Sequence, residues 1–166
     1  MKPDQTMRGA ENASPIDELE DIATAQNLPY LRFGKDELMI RYPDSWENFQ
    51  SFWTWDRDLK TLDVVASSLL KFDEEDLGSV YELLTLINNR LWIGHFDLTD
   101  EGSPTYRQTL MLRGIEGETT DVVEDLFAIS LAEYQRFFPA FQYVVKDKRS
   151  PQEALNLSLL ETEGEA

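Results

Sequence analysis

Between positions 30 and 72 the chain is divided into short apolar runs by turns too brief for anything but antiparallel pairing. YLRF and ELMIRY are punctuated by Gly34 and Lys35-Asp36, and Pro43-Asp44 closes the second run. WENFQSFWTW follows, then the turn residues Asp56-Arg57-Asp58, then TLDVVASSLLKF. In that last run Leu62, Val64, Ala66, Ser68 and Leu70 alternate with their neighbours, and before it Phe49, Ser51, Trp53 and Trp55 share one side of an extended chain. Alternation with period two marks a half-buried strand, and the β-branched and aromatic content agrees. A parallel return needs a crossover of about a dozen residues. The segment is therefore expected to supply three antiparallel strands.

Helical periodicity flanks this region. Ser14-Pro15-Ile16-Asp17 reads as a helix start, with a capping serine, proline at the first position and an acid near the positive end of the dipole. Ile16, Leu19 and Ile22 or Ala23 then carry a short helix to about Asn27. Asp73-Glu74-Glu75-Asp76 opens another, with Asp73 as the expected cap and Leu77, Val80, Tyr81, Leu84, Ile87 and Leu91 as one apolar stripe. WIGHFDL and TYRQTLMLR, joined by Asp100-Glu101-Gly102-Ser103-Pro104, read as a second hairpin. From Thr119 or Thr120 a long amphipathic helix runs through Val123, Leu126, Phe127, Leu131, Tyr134, Phe137 and Phe138, and Pro139 is expected to kink or end it. Ser150-Pro151-Gln152-Glu153 is a capping box ahead of ALNLSLL.

The expected fold is α+β: an antiparallel sheet of about five strands with helices on one face. Residues 1–13 are expected to be a disordered tail, 14–160 a single domain and 161–166 an acidic tail. Tryptophan and phenylalanine occur at both parities of WENFQSFWTW, so one sheet face threatens to expose an aromatic patch, the usual mark of an interaction surface.

Charge narrows the partners. Fifteen Lys plus Arg against 32 Asp plus Glu leave a net charge of −17, which repels phosphate backbones and anionic lipid, so neither nucleic acid nor a membrane surface is expected as partner. A basic or amphipathic protein segment is attracted by the same field. The chain has no cysteine, which removes disulfides, thiolate nucleophiles, zinc knuckles and iron–sulfur clusters together. No apolar run follows the basic residues of the N-terminus, and no window approaches the roughly 18 apolar residues of a membrane span. A cytoplasmic location is expected.

His95 is the single histidine, and on a strand it shares a face with Asp97. A His–Asp contact can orient an imidazole for proton transfer. However, no G-x-S-x-G nucleophile, second histidine or fixed acid spacing accompanies it. The acids at 73–76 are explained by capping, DLTDEG lacks the calcium-loop ladder, and no phosphate or dinucleotide loop is present. No catalytic residue, metal ligand or cofactor is assigned. The expectation is a non-enzymatic protein-binding module acting as a homodimer, with Trp46, Phe49, Trp53 and Trp55, or the helix 77–91, as contact surface. The alternative is a small-molecule or metal-dependent enzyme centred on His95 and nearby carboxylates.

LLTLINNRLWIGHFDL, YRQTLML, EYQRFFPAFQYVV and SPQEAL together resemble the YbjN family of small bacterial proteins, over about residues 28 to 160. The resemblance implies a sensory-transduction regulator with the order α-β-β-β-α-β-β-α, as in type III secretion chaperones, which dimerise and hold an extended client segment. It implies no catalytic residues, and it makes WIGHFDL a strand of the second hairpin.

Overall fold

The structure, a computed structural model, describes residues 14–43, 49–116 and 118–164. Helix α1 spans Pro15–Ala25 and begins as the sequence predicts. The Ser14 hydroxyl accepts from the Asp17 N–H at 3.3 Å, while the Asp17 carboxylate accepts from the Ser14 N–H at 2.9 Å. Strands β1 (Tyr30–Arg32), β2 (Glu37–Tyr42), β3 (Phe49–Asp56) and β4 (Thr61–Ser67) follow. After α2 (Leu77–Asn88) come β5 (His95–Leu98) and β6 (Pro104–Met111), then α3 (Thr120–Val145) and α4 (Pro151–Gly164).

The α+β class is as expected, with six strands rather than about five, in the order β1-β2-β3-β4-β6-β5 and antiparallel throughout. The extra strand is YLR, which the turn at Gly34 (φ +74°) folds back onto β2. The helices cover one face. Leu38, Ile40 and Tyr42 of β2, Phe49, Trp53 and Trp55 of β3, and Leu62, Val64 and Ala66 of β4 are all buried against them. An aromatic stack crosses this layer: Tyr42 on Phe49 at 4.4 Å, Phe49 on Tyr134 at 4.3 Å, and Tyr134 on Phe138 at 5.1 Å between ring centroids. Each such ring contributes roughly 2–3 kcal/mol of burial, plus about 1 kcal/mol for favourable ring geometry.

Four local expectations change. WIGHFDL is a strand only from His95, because Trp92, Ile93 and Gly94 form a bend. Asp73 makes no side-chain cap; Glu74–Asp76 instead form a 3₁₀ turn that leads into α2. The α2 stripe uses Leu83 in place of Tyr81, which is 57% exposed. Of the two outcomes expected at Pro139, a kink or an end, the end is overturned, since α3 runs on to Val145. Proline disturbs the carbonyls one turn before it, and the buried Ser158 hydroxyl of α4 donates to the Arg136 carbonyl at that point. Helix α4 opens with the predicted capping box and continues to Gly164, with the Tyr143 phenol donating to the Glu161 carboxylate.

Candidate functional site

The aromatic residues proposed for partner contact are placed first. Trp46 lies outside the described residues. Phe49, Trp53 and Trp55 lie on one side of β3, as the alternation predicts, but that side faces α3. They are core residues, which corrects their assignment as contact surface. Period two settles which residues travel together, and the helix layer settles which set is covered. Ser51 is fixed among them, its Oγ 2.8 Å from the Trp53 Nε1 donor and 2.9 Å from the Tyr42 hydroxyl. Burial pushes the Tyr42 phenol up to about 12, against a smaller opposing pull from Ser51. The proposed helical seam is likewise spent inside the fold, since Val80, Leu83, Leu84 and Ile87 are buried.

Among the described residues no helix covers the opposite face of the sheet. Register places Leu31 beside Met39, Met39 beside Phe52, Phe52 beside Val65, Val65 beside Arg107, and Arg107 beside His95. A single row therefore crosses all six strands, apolar over the first four and basic over the last two. Leu31 is 50% and Phe52 39% exposed. The sequence carried the signal for this row in Phe52, the aromatic of β3 with the wrong parity for the core.

Around His95 the chain is shaped by a buried tyrosine. Gly94 has φ +69°, and a Cβ added there would stand 2.3 Å from the Tyr106 hydroxyl. That hydroxyl lies 2.7 Å from Gln108 Oε1 and 3.2 Å from the Ile93 carbonyl, both acceptors. Burial, with the Glu133 carboxylate adding to it, holds the phenol well above its usual range. Trp92 Nε1 donates to Glu133 Oε1 at 3.1 Å, which ties the loop before β5 to α3. His95 itself is exposed, and it shares a face with Asp97. The Asp97 carboxylate, however, accepts from the Leu98 N–H at 2.8 Å, and among the described residues no hydrogen bond joins it to His95.

The acids at 73–76 have their own cation. Lys148 Nζ lies 2.8 and 3.0 Å from the two oxygens of the buried Asp76 and 3.7 Å from Glu75. Asp73, Glu75 and Asp76 converge closely enough to hold an ion, and the lysine supplies the positive charge there. This contact between the α3–α4 turn and the start of α2 had no sequence signal, being 72 positions apart.

A family model described as "putative bacterial sensory transduction regulator", YbjN, matches residues 15–143. The chain belongs to the YbjN family. No curated protein and no solved structure matches it. The matched span of this YbjN protein runs from α1 into the second half of α3, and so takes in the whole sheet and both of its faces. Among the described residues no helix is long and apolar enough to cross a membrane.

The two margins of the YbjN sheet are finished differently. At the β5 edge the Asn88 amide mimics a paired strand: its Nδ2 donates to the Phe96 carbonyl at 3.0 Å and its Oδ1 accepts from the Phe96 N–H at 2.8 Å. At the β1 edge the side chains are secured instead. Arg32 lies 2.7 Å from Asp17 and 2.6 Å from Glu20, and the Tyr30 hydroxyl donates to Glu20 at 3.1 Å. An edge strand left unsealed is a template for another chain.

Proposed function

We propose that this protein is a non-enzymatic regulatory module of the cytoplasm that binds other proteins and acts as a homodimer, holding a client segment in the manner of a secretion chaperone. The observation that carries the proposal is the row Leu31, Met39, Phe52 and Val65 on the face that the helices leave open. Leu31 and Phe52 leave much of their apolar surface exposed there, on either side of the buried Met39 and next to the half-buried Val65, and exposed apolar side chains grouped on one face usually mark an interface. Net repulsion between copies of charge −17 also favours association through a face where uncharged side chains are concentrated. An enzyme at His95 and Asp97 is the weaker reading, because the Asp97 carboxylate is committed to its own backbone.

Sedimentation velocity at tens of micromolar tests the proposal. The wild type is expected to sediment as a dimer and Phe52→Asp as a folded monomer. A monomeric wild type with the same profile as Phe52→Asp would remove the open face as the dimer surface.

A further inference from the structure

The edge of β6 is half free, and it offers backbone groups rather than side chains. The Leu112 N–H donates to the Lys60 carbonyl at 2.8 Å, which assigns even-numbered β6 residues to β4. Alternation then turns the N–H and C=O groups of Arg107, Thr109 and Met111 to the other side. Arg107 meets His95 there, and β5 extends no further along that lane. Gly94 swings the preceding chain toward the helix layer, where Tyr106 and Glu133 hold Ile93 and Trp92. The lane beside Thr109 and Met111 is thus vacated, and among the described residues no other hydrogen bond reaches their backbone groups.

A depression of about 530 Å³ opens here, bounded by Asp63 and Val65 of β4, Arg107 and Thr109 of β6, and Gly94 and His95. In its lining Arg107 and His95 stand side by side across the strand pair, and among the described residues neither side chain has an ion partner. Two uncommitted bases together are unusual in a chain of net charge −17. The acid facing the same depression, Asp63, is engaged by the Thr109 hydroxyl.

We propose that this lane takes a short extended segment of another protein, running antiparallel to β6 and ending in its free C-terminal carboxylate. Direction follows from geometry. A strand in line with β5 and antiparallel to β6 runs toward His95, so its last residue arrives beside Arg107 and His95. A guanidinium receives a carboxylate through two parallel N–H donors, while backbone pairing to Thr109 and Met111 holds the segment with little regard to its sequence. The inference rests on the protein-binding reading; it shares Val65, Arg107 and His95 with the end of the open-face row, but its backbone lane beside Thr109 and Met111 lies apart from Leu31, Met39 and Phe52.

The test is selection on the full chain with random heptapeptides displayed with free C-termini, followed by fluorescence polarisation with the selected peptide and its C-terminal amide. The expected result is about a tenfold or greater loss of affinity for the amide, matched by Arg107→Gln in a protein of unchanged melting temperature. Thr109→Pro, which removes a lane-facing N–H, should weaken the acid peptide as well, and Phe52→Asp should leave it unaffected. Equal binding of acid and amide, or no selection above that seen with Arg107→Gln, overturns the proposal. So does a shift of the wild-type dimer to monomer on Thr109→Pro, which would give the lane to a second copy. Loss of the dimer in Phe52→Asp with no peptide selected sinks the lane alone. Peptide capture by a chain that never dimerises sinks the open-face reading instead.

Discussion

The two sides of β3 each carry a phenylalanine, and the two rings meet opposite fates. Phe49, Trp53 and Trp55 are buried under α3, whereas Phe52, one residue from Trp53, stands on the uncovered face between Met39 and Val65. Residue type alone does not distinguish Phe49 from Phe52; their sides differ in company, three aromatics on the inner side against Gln50, Thr54 and Asp56 around Phe52 on the outer. The inner side interlocks: stacked rings, an indole N–H and a phenol converge on one serine hydroxyl. The outer side is a row without a lid. Aromatic content thus marks a strand as worth covering, and the covering element decides whether the cover is the chain's own helix or something else.

The largest effect that would test this contrast is on stability. Trp53→Ala is expected to lower the unfolding free energy by about 3–5 kcal/mol, read from the urea midpoint, because a fully buried ring leaves a cavity. Phe52→Ala should cost below about 1 kcal/mol. If the two changes cost the same, the faces are not distinct in the way described.

Next comes the point where the chain leaves the sheet. Gly94→Ala must adopt a left-handed backbone and displace the Tyr106 hydroxyl, so a loss of about 2–4 kcal/mol is expected in the same assay. A neutral result would mean that the loop before β5 can shift without cost, and that β5 could extend into the lane.

Alkaline titration probes the inner side by itself. Tyr42 keeps its proton more tightly folded than unfolded, its phenol being pushed up to about 12 from an unfolded value near 10. Its contribution is therefore complete below pH 10 and lost as the pH rises from 10 toward 12. Stability should fall over that window by about 2 kcal/mol on this account, and Tyr42→Phe should shed that part of the slope. The remainder belongs to other groups, Tyr106 among them. An unchanged slope in Tyr42→Phe would show that the phenol is not the group responsible.

The smallest stability effect concerns the sealed edge. Asn88→Ala leaves the Phe96 backbone pair without partners and should cost about 1 kcal/mol. It should also raise the rate of self-association seen by light scattering, because the β5 edge becomes available. A variant that stays as dispersed as the wild type would mean that the side-chain amide is not what protects this margin.

Much of the fold was legible in short-range pattern. The α1 start, the α4 capping box, the shared face of Phe49, Ser51, Trp53 and Trp55, and the second hairpin all follow from spacings of two to four residues. What failed also has physical reasons. YLR is too short to announce itself as a strand without its partner β2. Pro139 stands inside α3, with the Ser158 hydroxyl of α4 donating to the Arg136 carbonyl in the turn before it, a contact 22 positions along the chain. Trp92, Ile93 and Gly94 look like strand residues until Tyr106, from a later strand, occupies the space where a side chain at 94 would go. Of the candidate site, His95 and Asp97 do share a face, but Arg107 beside them became visible only through register.

What the sequence determined by itself is the parity of β3, β4 and β5, the starts of α1 and α4, and the acidic net charge. These depend on neighbours along the chain, and periodicity and capping act at that range. Tertiary structure alone decided which face of the sheet received the helices, that Asn88 would seal one edge, and that β5 would stop at His95 and leave half of β6's outer edge unpaired. Those outcomes depend on contacts between residues far apart in the chain, where a pattern can limit the possible partners but only packing selects among them.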